Sequence, residues 1–223
     1  MALREIAGPA GRLEALLDEP AAPGAIGADG RVSVGHPDGV RAAVVFAHPH
    51  TAYGGTMHTK MVYQSAKALS RIGCAVLRFN FRGAGASAGS FNEGPGEMDD
   101  FRAALDVMAA TYPGAPLWTG GMSFGAWIAM SVGVEDPRVS AVIGIAPPVC
   151  RYDFDAVARS GTAKFLVHGE RDEICSLKDV RAFYARAAEP KELVVIDAAD
   201  HVFDGKVSEV ADAIEDLLGD WTP

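Results

Sequence analysis

The sequence predicts an α/β chain, a mostly parallel sheet with helices on both faces, and three observations carry that prediction. Six short apolar runs rich in Val and Ile recur along the 223 residues, too short for helices and too continuous for strands with one wet face. Longer segments of helical period separate them, the alternation that βαβ units produce. The hydrophobic share of 49% and the chain length suffice for one substantial core, so one domain over residues 1–223 is expected.

The strands are expected at Arg41 to Ala47, Ala75 to Phe79, Leu117 to Gly120, Val139 to Ile145, Lys164 to Val167 and Leu193 to Ile196. Helices fall between them at Thr56 to Arg71, Glu97 to Thr111, Phe124 to Val134, Leu177 to Ala188 and Lys206 to Leu218. In the second helix Met98, Phe101, Leu105 and Met108 share one face, with Asp99, Asp100, Arg102 and Asp106 elsewhere. Its acidic start after Pro95 suits a helix amino terminus. The stretch RLEALLDEP fits a helix by spacing and an edge strand by its flanking Gly and Pro; the expectation is an antiparallel hairpin. The segment PPVCRYDFDAVARSG has room for one short helix.

Composition excludes several function classes. A net charge of −9, from 20 basic and 29 acidic residues, opposes nucleic acid as a partner, because that affinity comes from clustered Lys and Arg. Runs such as AAVVFA and AVIGIA fall far short of the ~20 apolar residues of a membrane span, and the amino terminus lacks a basic-then-apolar signal. No membrane partner and a cytoplasmic location are therefore expected. Cys74, Cys150 and Cys175 are odd in number and show no CxxC spacing, so reduced, mostly buried thiols are expected, with neither disulfides nor zinc.

The chemistry concentrates at GGMSFGA, residues 120–126. A strand, then Gly121-Met122-Ser123-Phe124-Gly125, then a helix is the context that a G-x-S-x-G nucleophile elbow requires. Strained backbone angles would lift Ser123 Oγ out of the sheet edge, with the Phe124 N–H beside it at a helix amino terminus. Gly121 and Gly125 belong there because a β-carbon would strike the neighbouring strand or helix. A serine hydroxyl is a poor nucleophile alone, so a base and an orienting acid are needed.

Six histidines offer a base: His36, His48, His50, His58, His168 and His201. His201, in VVIDAADHVFDG just past the last strand, would hang over the carboxyl edge of the sheet. His168 closes the strand KFLVH, where packing or a backbone bond is the simpler use. For the acid, VHGERDEI places Asp172 on that edge, with Glu170, Asp197 and Asp200 as alternatives; the last two lie close enough to His201 to shape its loop. A second oxyanion donor is sought in VVFAHPHTAYGGT, where Pro49 has no N–H and His50 or Thr51 follows it. The side chains of His48 and His50 are expected to bond to loop carbonyls.

Other motifs point elsewhere. In RGAGASAG the glycines at 83, 85 and 89 miss the G-x-G-x-x-G spacing, so a supporting loop is expected, with Arg82 on backbone carbonyls. Neither G-x-x-x-x-G-K-[ST] nor H-E-x-x-H occurs, and no cofactor or metal is expected.

In order along the chain, FAHPH, GGTMHTKMV, LRFNFRGAGASAG, GMSFGAW, IAPPV, HGERDE and ADHVF resemble the α/β-hydrolase superfamily, and within it the small, lidless, bacterial dienelactone-hydrolase-like esterases. The resemblance spans nearly the whole chain and implies a doubly wound, mostly parallel sheet of about eight strands. It also implies a Ser-Asp-His triad falling on Ser123, Asp172 and His201. Dienelactone hydrolases proper use a cysteine nucleophile, so their substrate does not carry over to a serine elbow. Too few residues separate Ile145 from Lys164 for a large cap, so a shallow, open site and short-chain esters are expected. The reading is a serine carboxylic-ester hydrolase acting on a small-molecule ester. The same triad handles thioesters and small amides, a peptidase would need an acidic anchor for the substrate amine, and a catalytically silent binding protein is the alternative from another class. Apolar residues of the first hairpin and last helix are the surfaces a homodimer would use.

Overall fold

The computed structural model describes residues 4–27, 30–34 and 39–222. Two strands open the chain, β1 (Glu5–Gly8) and β2 (Gly11–Asp18), paired antiparallel as a hairpin. Alternation in RLEALLD buries Leu13 and Ala15 and half-exposes Glu14 and Leu16, which settles a period of two over the helical alternative. The strand is not at the edge: β2 pairs with β4, and β1 takes the edge.

The remaining strands are β3 (Ala43–Ala47), β4 (Ala75–Phe79), β5 (Leu117–Met122), β6 (Val139–Ile145), β7 (Ala163–Gly169) and β8 (Lys191–Ile196). Their order is β1-β2-β4-β3-β5-β6-β7-β8, with every pairing from β4 to β8 parallel. The helices are α1 (Lys60–Arg71), α2 (Pro95–Thr111), α3 (Phe124–Glu135), α4 (Asp155–Arg159), α5 (Leu177–Arg186) and α6 (Val207–Gly219). Helix α1 begins four residues later than its apolar period predicts. The Met57 N–H donates to Asn80 Oδ1 and the Thr56 N–H to Thr59 Oγ1, so tertiary and local side-chain acceptors take the donors first.

Two cores result, one on each face. Val44 and Phe46 of β3 pack with α1 and α6, while Ala43, Val45 and Ala47 pack with α2 and α3. The apolar residues of α6, among them Val210, Ile214 and Leu218, lie in the first of these cores. Helix α3 has no polar face, as the run FGAWIAM requires of a helix pressed between sheet and neighbours. Between β6 and β7 only α4 intervenes, so no cap covers the sheet edge.

The order β4-β3-β5 makes the carboxyl ends of β3 and β5 the switch point of the sheet, where open α/β sheets hold ligands. Register does the rest. Ala47 pairs with Gly121, so the loops after β3 and β5 leave side by side; Gly169 pairs with Ile196, so those after β7 and β8 do the same.

Candidate active site

Ser123 stands between β5 and α3 with φ 54° and ψ −121°, in the positive-φ region that side-chain-bearing residues rarely adopt. Such a conformation costs about 1–3 kcal/mol and persists only where its surroundings impose it. They do here: the Ser123 N–H donates to Ile145 O at 2.8 Å, and its carbonyl accepts from the N–H groups of Ala126 and Trp127. A Cβ on Gly121 would lie 2.4 Å from the Gly125 carbonyl, and one on Gly125 would lie 2.4 Å from His48 O. Both glycines are therefore required by close approach of backbone to backbone.

Although Ser123 is the N-cap of α3, its hydroxyl does not cap the helix. Ser123 Oγ lies 2.9 Å from His201 Nε2, and His201 Nδ1 lies 2.7 Å from Asp172 Oδ2. A carboxylate can only accept, so Nδ1 carries the imidazole proton and Nε2 presents its lone pair to the hydroxyl. Asp172 Oδ1 accepts from the N–H groups of Ile174 (2.8 Å) and Cys175 (2.9 Å). Burial penalises the Asp172 charge, yet the His201 hydrogen bond and the Cys175 N–H outweigh it and hold the carboxyl below its ordinary range. This chain of bonds can draw a proton off Ser123 and keep the resulting imidazolium beside a buried negative charge.

The other candidates take supporting places. His168 is fully buried, donates through Nε2 to Cys175 O at 2.9 Å and lies 3.5 Å from Asp172 Oδ2, behind the acid and away from the serine. Its Nδ1 has no partner among the described residues, and burial pushes its pKa down. Glu170 accepts the Ala198 N–H, and Asp200 accepts those of Val202 and Asp204, which shapes the His201 turn. Glu173 accepts the His201 N–H at 3.3 Å, a role that its place beside Asp172 could have suggested. His58 is exposed, and His36 lies outside the described residues.

His48 is buried, donates through Nδ1 to Pro49 O at 2.6 Å and accepts the Phe81 N–H on Nε2 at 3.0 Å, tying the loop after β3 to the end of β4. Burial pulls its pKa down to about 4. The His50 ring accepts the Ala52 N–H and packs on Phe91 and Phe124. It therefore bonds to an amide, where a carbonyl was expected. This holds the turn over Thr51–Tyr53, and among the described residues the N–H groups of His50, Thr51 and Phe124 donate to no protein acceptor. Arg82 departs from expectation as well. It grips Asp100 through Nε (3.0 Å) and Nη2 (2.7 Å), because Asp100 is buried inside α2 and requires a cation.

The cleft above Ser123 encloses about 710 Å3 between Tyr53, Tyr152, Ile174 and Val202. Tyr152, which stacks on Trp127 at 4.2 Å, forms part of its wall. These wall residues lie on loops whose course the sequence pattern does not show. Another hollow, of about 560 Å3, lies at the opposite end of the strands by Tyr112 and Trp221, remote from Ser123. One group of potential metal ligands occurs among the described residues: the sulfurs of Cys150 and Cys175 and the Asp179 carboxylate lie within 4.8 Å of one another. No described helix is long and apolar enough to cross a membrane.

The eight-stranded order and the strand-turn-helix at Ser123 are those of an α/β hydrolase without a lid. The family model described as serine aminopeptidase, S33 (Hydrolase_4), matches residues 38–160, and the chain belongs to this family of α/β hydrolases. The matched residues include Ser123 and end before Asp172 and His201. An uncharacterised protein of Rickettsia prowazekii is 39% identical over 180 residues, covering 77% of this chain and 76% of its own. Among solved structures, an α/β serine hydrolase homologue from Coxiella burnetii is 31% identical with a TM-score of 0.86, covering 98% of this chain and 97% of that one. A serine hydrolase without a lid from Xanthomonas campestris is 32% identical with a TM-score of 0.82, covering 100% and 96%.

Proposed function

We propose that this protein is a serine hydrolase of small carboxylic esters, working through an acyl-enzyme on Ser123. The observation that carries the reading is the unbroken run from Ser123 Oγ to His201 to Asp172, at 2.9 and 2.7 Å, opening on the cleft. In this mechanism His201 Nε2 takes the hydroxyl proton as Oγ attacks the acyl carbon. Asp172 holds the imidazole with Nδ1 protonated and stabilises the cation. The Phe124 N–H, with that of His50 or Thr51, receives the oxyanion, and their freedom from acceptors among the described residues supports that role. His201 then returns the proton to the leaving alcohol, and a water activated by the same imidazole clears the acyl group.

A cleft of about 710 Å3 suits a small ligand. With no cap between β6 and β7, nothing roofs the cleft and a long acyl chain would run out of it into solvent, which favours short esters. The aminopeptidase description of the family raises the second reading, cleavage next to a charged amine. Asp204 on the cleft wall is a carboxylate such an amine could meet, but Lys60 and Arg151 on the same wall oppose a cation, and the ester reading stands first. We place the protein, as one domain over residues 1–223, in the cytoplasm, where three free cysteines stay reduced. The net charge of −9 supports a small-molecule partner over nucleic acid. The test is a fluorophosphonate probe with intact-mass readout, alongside p-nitrophenyl acetate turnover. A single adduct on Ser123, and loss of both adduct and turnover in Ser123→Ala, is expected; no adduct, with turnover unchanged in the variant, would overturn the reading.

A further inference from the structure

Cys150 and Cys175 belong to neither the proton relay nor the two cores, yet they sit against both walls of the site. Cys150 is exposed on the turn after β6, next to the cleft residues Arg151 and Tyr152. Cys175 is buried on the loop after β7, next to Ile174, and its N–H is one of the two that hold Asp172. The sulfurs lie within 4.8 Å of each other, the Cys150 N–H points at Cys175 Sγ from 3.3 Å, and Cys150 Sγ lies 3.5 Å from Ile174 O. We propose that these two thiols form an oxidant-sensitive pair, whose disulfide clamps the cleft wall to the Asp172 loop and slows acylation of Ser123. The activity half of this rests on the hydrolase reading above.

The chemistry balances with a hydroperoxide as oxidant. Cys150, the solvent-facing thiol, attacks the peroxide as its thiolate; the O–O bond breaks, an alcohol or water leaves, and a sulfenic acid forms. Cys175 sulfur then attacks the Cys150 sulfur, and the displaced hydroxyl takes up the Cys175 thiol proton and leaves as water. Two thiols are oxidised by two electrons and one peroxide is reduced. The order of events follows from exposure: burial holds the Cys175 thiol up at about 12, so it acts second. Cys74, inside the core that α1 packs on, is fully buried and does not compete.

Drawing Cys175 towards Cys150 moves the segment that bonds Asp172 through Ile174 and Cys175 and accepts from His168. A displacement on the order of 1 Å there is enough to misalign a relay of this kind. The experiment treats the full chain with hydrogen peroxide and measures intact mass, non-reducing peptide maps and the rate of fluorophosphonate labelling at Ser123. Expected are a loss of about 2 Da, the mass of the two hydrogens removed, one Cys150–Cys175 cross-linked peptide, and labelling slowed by roughly tenfold or more and restored by dithiothreitol. Cys150→Ser should label at the wild-type rate before and after peroxide. Oxygen added to Cys150 without a cross-link, or a cross-link with unchanged labelling, would overturn the proposal. Failure of the reduced protein to label at all would refute the hydrolase reading instead, and the disulfide would then be judged by mass alone.

Discussion

Replacing Asp172 by Asn keeps the shape of the acid and removes what the structure asks of it. Two N–H donors, from Ile174 and Cys175, converge on Oδ1 at 2.8 and 2.9 Å, so the amide oxygen must stay there. The amide NH2 is then left where Oδ2 stood, 2.7 Å from His201 Nδ1. Two donors cannot face each other. His201 therefore shifts its proton to Nε2, and a protonated Nε2 cannot accept from Ser123 Oγ. In triads of this geometry the same exchange costs about ten-thousandfold in kcat, or roughly 5 kcal/mol of transition-state stabilisation. The assay is kcat for p-nitrophenyl acetate at pH 7, with circular dichroism showing that the variant is folded. A folded variant retaining a tenth or more of wild-type kcat would refute the reasoning, because the orientation of Oδ1 leaves no other way to seat the amide.

Gly125→Ala puts a Cβ 2.4 Å from His48 O and pushes α3 away from the loop after β3. Since that separates the Phe124 N–H from those of His50 and Thr51, kcat should fall on the order of a hundredfold or more, with about 1–3 kcal/mol lost in urea unfolding. His48 is neutral in the fold, with its pKa lowered from 6.5 to about 4. The unfolded chain thus binds a proton first, and stability present above pH 6.5 is lost as the pH falls towards 4. By linkage the loss amounts to about 3 kcal/mol, and His48→Gln should flatten that part of the stability profile measured by urea titration. Asp172 acts lower: its folded pKa is depressed, so its contribution is held above the ordinary 3.8 and disappears as the pH falls below it, an acid limb that Asp172→Asn should lack. Across p-nitrophenyl esters kcat/KM should decline from acetate to long acyl chains; a rise with chain length would contradict the uncapped cleft.

The central parallel strands were legible because a sheet covered on both faces must be apolar at every position, as in VVFA of β3 and AVIGI of β6. The strand ends were less so. Strand β7 runs to Gly169 and β5 to Met122 because their last backbone groups pair with β8 and β6, and those partners leave no trace in local composition. Ser123, Asp172 and His201 could be proposed one at a time, since each follows an apolar run at a strand end; their contact at 2.9 and 2.7 Å could not. Arg82 was misread for a related reason. Its partner Asp100 lies 18 residues away on α2, facing inward from what looks like a solvent face.

What the sequence by itself determined is the alternation of strand and helix, the glycine-flanked serine between them, and the presence of an acid and a histidine on later loops, because periodicity and turn chemistry are local properties of a chain. What only the tertiary structure decided is which residues meet. The pairing of Ala47 with Gly121 and of Gly169 with Ile196 sets four loops side by side. Their approach gives His168 its place behind Asp172, leaves the His50, Thr51 and Phe124 N–H groups without acceptors among the described residues, and brings Cys150 within reach of Cys175. Those distances are set by sheet register and helix packing, which sum over contacts between residues far apart in the chain, and no local pattern encodes such a sum.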